Sequence, residues 1–254
     1  MSSPSANKVQ RIVIVGATSA IAERCARCWA EQGATHFYLL ARNQEKLSAI
    51  AADLKVRQPQ AEIVTAVGDF VDPAAIQSQV TEIMTQAADI VLIAHGNLPD
   101  QQQCQASLSE TAEAIQINGI SPVLFAEAFA TLMSQADRGT LAVIGSVAGD
   151  RGRKSNYVYG SAKGLVTRYV QGLQHRTAGS GFKVVLVKPG PTDTPMTAHL
   201  KQNGAALASV EDVADDIVNG IAKGKPVIYT PSKWALIMMI IRHLPRFIFN
   251  RMDI

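Results

Sequence analysis

The feature that most restricts this chain is a repeated alternation. Short apolar runs return at Ile12–Val15, Phe37–Leu40, Ile63–Val67, Ile90–Ala94, Leu141–Ile144, Val184–Val187 and Val227–Tyr229. Between them lie amphipathic, helix-length segments at about 20–32, 44–57, 73–87, 109–135, 156–178 and 211–223. Several of the runs are almost continuously apolar, as strands covered by helices on both faces must be. Seven strands alternating with six helices, and no linker between halves, predict an α/β fold with one doubly wound, Rossmann-type parallel sheet. Local start signals agree. Asp72 before Pro73 is an N-cap followed by a proline in the first turn. Ser107 and Glu110 have the spacing of a capping box.

The expected organisation is a disordered lead-in over 1–10, the sheet domain over 11–230 and an apolar, basic tail over 231–254. With 47% apolar and 18% charged residues, the chain can bury a sizeable core and is not of disordered composition. A net charge of +3 without a dense basic run argues against a nucleic-acid partner. The first ten residues lack the apolar core of a signal peptide, and no apolar run approaches the ~20 residues of a membrane-spanning helix. The expectation is a cytoplasmic protein. Cys25 and Cys28 form a C-x-x-C, but Cys104 stands alone and the five histidines are scattered. The pair falls within a helix, away from the N-terminus that would acidify a thiol, so no metal or redox site is expected.

The first strand runs into Gly16-Ala17-Thr18-Ser19-Ala20-Ile21-Ala22. At this strand-to-helix turn free backbone N–H groups can hold the pyrophosphate of a dinucleotide. The usual form has three glycines, and here Ala20 and Ala22 replace two of them, so the turn alone fits any strand–helix connection. The second strand ends at Ala41-Arg42-Asn43. A ribose with a free 2′-hydroxyl calls for Asp or Glu near this point and a 2′-phosphate calls for Arg, so Arg42 favours NADP(H) over NAD(H) if a nucleotide binds. An ordinary surface arginine is the alternative. Asp69, with Phe70 after it, stands where a carboxylate could meet the adenine.

Ser146 follows the Leu141–Ile144 run, and Tyr159 and Lys163 are four residues apart, on one face of a helix. A phenol titrates near pH ~10. An ammonium ~4 Å away at an effective dielectric of ~20 favours the phenolate by at most ~4 kcal/mol, or ~3 pKa units. That would make Tyr159 a usable proton donor near neutrality. Upstream, Pro122 lacks an N–H, so the carbonyl of Asn118 loses its helical partner. It could hold a water for proton delivery, or the segment could simply kink.

Together these residues resemble the short-chain dehydrogenase/reductase family from residue 11 to about 230. The resemblance is carried by Gly16, Asp69, Gly96, Asn118, Ser146, Tyr159-x-x-x-Lys163 and Pro189-Gly190-x-x-x-Thr194. Departures are Ala20 and Ala22, and Ile93-Ala94-His95-Gly96 where the family usually has N-N-A-G. The resemblance implies Tyr159 as proton donor or acceptor and Ser146 on the substrate oxygen. Lys163 would acidify Tyr159 and hold the nicotinamide ribose, and Asn118 would anchor a water. The cofactor would lie along Gly16, Thr18, Ser19, Ala20, Ile21, Arg42, Asp69, Phe70, Ala94, His95, Gly96, Pro189, Gly190, Thr192 and Thr194. It also implies a mobile substrate lid over Pro191–Ser209 and a homo-oligomer.

Three stretches, A-G-D-R-G-R-K-S-N-Y-V-Y-G-S-A-K, K-P-G-P-T-D-T-P-M-T-A-H-L and M-M-I-I-R-H-L-P-R-F-I-F-N-R, resemble reductases of lipid-linked keto-pentoses more narrowly. This implies a keto-sugar substrate on a polyprenyl phosphate. A general carbonyl reductase on a soluble ketone, or a regulator that binds nucleotide without turnover, are the alternatives. The tail carries eight apolar residues, Trp234–Ile241, then Arg242, His243, Arg246 and Phe247–Phe249. Such a segment can lie in a membrane interface, making the protein peripheral, or it can pack on its own domain or a second subunit.

Overall fold

A computed structural model describes residues 11–198, 202 and 204–252. The expected lead-in at 1–10 and part of the expected lid lie outside them. Seven strands form one parallel sheet in the order β3-β2-β1-β4-β5-β6-β7. They are β1 (Arg11–Val15), β2 (His36–Ala41), β3 (Glu62–Val67), β4 (Ile90–Ile93), β5 (Thr140–Ile144), β6 (Lys183–Pro189) and β7 (Val227–Thr230). Chain direction across the sheet reverses between β1 and β4, which pair from Ile12↔Ile90 to Val15↔Ile93. Their C-terminal ends therefore open the crevice in which sheets of this type bind ligands.

Alternation along β1 shows how the sheet separates two cores. Ile12 and Ile14 face the cluster holding Trp29, Leu47 and Val213. Val13 and Val15 face the cluster holding Ile76, Phe125 and Val166. Helices α1 (Ala20–Glu31) and α2 (Gln44–Arg57) cover the first face, and α3 (Pro73–Ile83) lies on the second. The expected Asp72 cap forms, accepting from Ala74 and Ala75, and Asn43 caps α2 by accepting the Lys46 N–H at 2.8 Å. Cys25 and Cys28 are buried in α1, with the Cys28 thiol directed at Asp215 at 3.3 Å. Burial pushes the Cys28 thiol up to about 11.

The long helix expected over 109–135 is divided. A polar segment before it, outside the expected helices, forms α4 (Gln101–Ala106), capped by Asp100. Then come α5 (Leu108–Ile115), one π-helical turn at Gln116–Ile120, and α6 (Ser121–Ala136). Pro122 has no N–H to give to Asn118, and the ladder has shifted there: the Ser121 N–H reaches the carbonyl of Gln116, five residues back. The stretch Leu108–Ala136 is long and apolar enough to cross a membrane, but 56% of its apolar window is buried within the fold.

Helix α7 (Tyr157–Arg176) crosses from β5 to β6, and α8 (Val210–Ala222) packs on α1. The tail forms α9 (Lys233–His243) and α10 (Arg246–Phe249). Its inner side is docked on the fold: Met238 is fully buried, and the Trp234 indole occupies the space that a side chain at Gly190 would need.

Candidate active site

The crevice is built first from close backbone packing. Gly16 ends β1 with φ +84°, a conformation that L side chains rarely adopt. A Cβ there would also lie 2.6 Å from the His95 backbone N, so the single retained glycine lets the ends of β1 and β4 meet. Thr18 and Ser19 complete the turn, and Ala20 and Ile21 open α1. Ser19 is the N-cap but its side chain makes no capping bond, which leaves the first-turn amides of α1 without a side-chain partner.

A cleft of about 460 Å³ is lined by Arg42, Asp69, Phe70, His95, Gly96, Glu113 and Ser121. Arg42 is exposed and forms no ion pair among the described residues. Asp69 is partly engaged locally: its Oδ1 accepts the Val71 and Asp72 N–H groups at 2.6 and 2.9 Å, which hold its carboxyl below the usual range. Phe70 meets the His95 ring edge-on at 4.9 Å. His95, an anomaly of the sequence, hydrogen-bonds the Ser121 hydroxyl through Nε2 at 2.8 Å. Burial, with Lys163 and Arg42 nearby, pushes its pKa down to about 3, so the imidazole stays neutral. An uncapped helix start, a tight glycine junction and an open cleft lined by a guanidinium with no ion pair among the described residues fit a dinucleotide.

Asn118 lies in the π turn, directly after Gln116 and Ile117, which line the cleft. It is fully buried, and its side chain bridges elements: Nδ2 donates to Asn97 Oδ1 at 2.7 Å and to the Ala114 carbonyl at 3.0 Å, while Oδ1 accepts the Asn97 N–H at 2.9 Å. A Cβ on Gly96 would lie 2.8 Å from Asn118 Oδ1 and 3.6 Å from Lys163 Nζ, so Gly96 keeps open the space between them. Asn97, which gave no sequence signal, is thus part of the site.

Ser146 caps the 3₁₀ turn Val147–Asp150, its Oγ accepting the Ala148 N–H at 3.1 Å. A Cβ at Gly149 would lie 2.6 Å from the Lys163 carbonyl carbon, so this turn rests directly on the α7 backbone. That contact sets the Ser146 hydroxyl close enough to the Tyr159 phenol to pull its pKa down. Lys163 is buried, donates to the Ile144 carbonyl at 3.1 Å, and has Nζ 5.9 Å from the centre of the Tyr159 ring.

The electrostatics differ from the expected acidified phenol. Desolvation raises the Tyr159 pKa to about 12, with Ser146 pulling the other way. Desolvation also lowers Lys163 to about 8. The ammonium engages the Ile144 carbonyl, and both groups are removed from water, so burial outweighs their mutual effect. The protein alone therefore holds the phenol protonated.

Lys163 has a measurable linkage. Between pH 8 and 10.5 the folded lysine loses its proton while the unfolded one keeps it, so stability rises with pH across that window by roughly 3 kcal/mol. Lys163→Met is expected to melt about 5 °C above the parent at pH 7 and to lose the rise between pH 8 and 10.5. Paired thermal melts from pH 6 to 10.5 check this; parallel profiles for the two proteins would contradict it.

Beyond Ser146, Tyr159 and Lys163, Lys188 and Asp150 form a buried ion pair, their side chains 3% and 2% exposed. The Tyr229 hydroxyl donates to the other Asp150 oxygen at 2.8 Å. This fastens the Ser146 turn to β6 and β7, and residues so far apart in sequence could not have been paired from spacing. Pro189 ends β6, and the Gly190 N–H donates to the Thr230 carbonyl at 2.9 Å. Thr192 is buried and donates to the Gly190 carbonyl at 3.0 Å. Thr194 starts a 3₁₀ turn, Pro195–Thr197, in a capping box with Thr197.

Comparison with known proteins agrees with this geometry. A short-chain dehydrogenase family model matches residues 10–205. An uncharacterized oxidoreductase of Mycobacterium tuberculosis is 33% identical over 245 residues, covering 95% of this chain and 96% of the relative. A short-chain dehydrogenase from Sphingobium yanoikuyae, solved with NADPH, superposes with a TM-score of 0.80 at 22% identity, covering 94% of this chain and 97% of that one. One from Burkholderia phymatum, solved with NAD, gives 0.81 at 18% identity and 97% coverage of both chains. The fold is thus shared by proteins that hold either nucleotide. With the family model spanning most of the sheet and the curated relative matching nearly end to end, this chain belongs to the short-chain dehydrogenase family of nicotinamide-dependent oxidoreductases.

Proposed function

We propose that the protein is an NADP(H)-dependent reductase of a keto group. The observation that carries this reading is the gathering of Ser146, the Tyr159 phenol and a buried Lys163 whose Nζ lies behind Gly96, a residue lining the same cleft as Arg42. The Arg42 guanidinium, free of ion pairs among the described residues, is suited to a 2′-phosphate by its planar fork. The first-turn amides of α1 would hold the pyrophosphate. Lys163 and Asn118 would border the nicotinamide ribose.

The bound nicotinamide supplies hydride chemistry. The chain supplies the rest. Tyr159, held neutral by burial, donates a proton to the substrate oxygen. Ser146 donates a hydrogen bond to the same oxygen as negative charge develops. The Asn118 backbone carbonyl holds a water, through which Lys163 restores the proton to Tyr159.

The substrate we propose is the 2-keto sugar of a polyprenyl-phosphoryl pentose, as for the reductase partner of decaprenylphosphoryl-ribose 2′-epimerase. The sequence likeness around Ala148–Lys163, Lys188–Leu200 and the tail supports this reading. A screen of lipid-linked keto-pentoses against soluble ketones, followed by NADPH oxidation, tests it. Turnover with the lipid-linked sugar at least tenfold more efficient than with any soluble ketone is the expected result. Efficient turnover of soluble ketones alone would reassign the substrate, and no NADPH oxidation with any of them would remove the catalytic reading.

A further inference from the structure

The tail has two faces with different fates. On α9, Trp234, Ile237, Met238 and Ile241 form the inner stripe, with Met238 fully buried. The outer stripe is also apolar: Leu236 is 59%, Met239 50% and Ile240 53% exposed, and Phe247 on α10 is 68% exposed. Large apolar side chains grouped this way on a surface mark a contact. They are accompanied by Lys233, Arg242, Arg246 and Arg251, all exposed, and residues 231–252 contain no Asp or Glu.

The segment is held in place against the catalytic region. Arg151, five residues after Ser146, donates to the carbonyls of Ile241 and, at 2.7 Å, Leu244. Its guanidinium also lies 3.8 Å above the Phe249 ring. With Trp234 against Gly190, the tail is fastened at two points to segments that flank the candidate site. The outer face therefore has a fixed position relative to the site.

We propose that α9 and α10 form an interfacial membrane-binding surface, lying in the plane of an anionic bilayer. Apolar side chains would enter the headgroup boundary while the flanking cations meet lipid phosphates. At 11 residues α9 is ~16 Å long and cannot cross a ~30 Å hydrocarbon core. A second copy is a poorer occupant, because a two-fold contact through this face would set each copy's cations against the same cations. The inference goes beyond the substrate reading, and its readout requires no turnover.

The test is co-sedimentation of the full chain with phosphatidylcholine vesicles, with and without 30% phosphatidylglycerol. Binding is expected to the anionic vesicles only. The double variant Arg242→Gln with Arg246→Gln should weaken it roughly 30-fold, and Ile240→Ser with Phe247→Ser at least tenfold. Thermal melts and NADPH titration serve as fold controls; Met239→Ser replaces either double variant that unfolds. Equal binding to neutral vesicles, indifference to the apolar changes, or no vesicle binding by the parent would overturn the proposal. Self-association that Phe247→Ser abolishes, without vesicle binding, would reassign the face to contact between copies.

Discussion

Tyr159→Phe is expected to lower turnover about 1,000-fold while changing NADPH affinity less than twofold. The phenol is the proton donor proposed beside Ser146, and its raised pKa of about 12 means that it carries a proton throughout the neutral range. Removing a positioned general acid typically costs ~10²–10⁴ in rate. The ring itself remains, so packing in α7 and the route to the cleft are preserved. Loss of one partly buried hydroxyl changes stability by about 1 kcal/mol, too little to confuse with unfolding. Single-turnover kinetics and a nucleotide titration separate the effects. Retention of most of the turnover would show that another group supplies the proton.

The second large effect concerns Arg42. Its guanidinium lines the cleft without a carboxylate partner among the described residues, and in the proposed reading it meets the extra phosphate of NADPH. A hydrogen-bonded charge pair contributes ~1.5–3 kcal/mol. Arg42→Ala is therefore expected to raise the KM for NADPH about 10- to 100-fold and the KM for NADH less than threefold. Measuring both constants on the same preparation checks this. Equal rises would place Arg42 outside phosphate recognition, a discrimination that the fold cannot provide because structural neighbours hold either nucleotide.

Much of this arrangement was legible in the residues because it follows short-range rules. The seven strands arise from apolar runs, and Asp72 and Asn43 cap the helices as their identities require. Tyr159, Lys163 and Ser146 gather because a strand end and its following helix must lie close. What escaped depends on distant partners. Asn97 matters only because Asn118 reaches it across 21 residues. Asp150 and Lys188 gain meaning from a strand pairing that joins β5 to β6. The direction of the Tyr159 shift was likewise hidden, since spacing shows which charges are near but not how much water has been removed. The tail had two open readings, and the structure reveals a docked inner stripe beneath an exposed outer one.

The π turn at Gln116–Ile120 has a consequence for how the chain tolerates change. One residue more than the ordinary ladder needs is accommodated there, so the helical stretches on either side are offset by about 100° of rotation. Asn118 lies within this turn and bonds Asn97 from it. A deletion of a single residue in this turn would give a smoother helix and a poorer enzyme, with α6 forced to re-register against a full core or Asn118 carried away from its partner. Regularity and activity are opposed at this point, and the irregular version is the one the chain encodes.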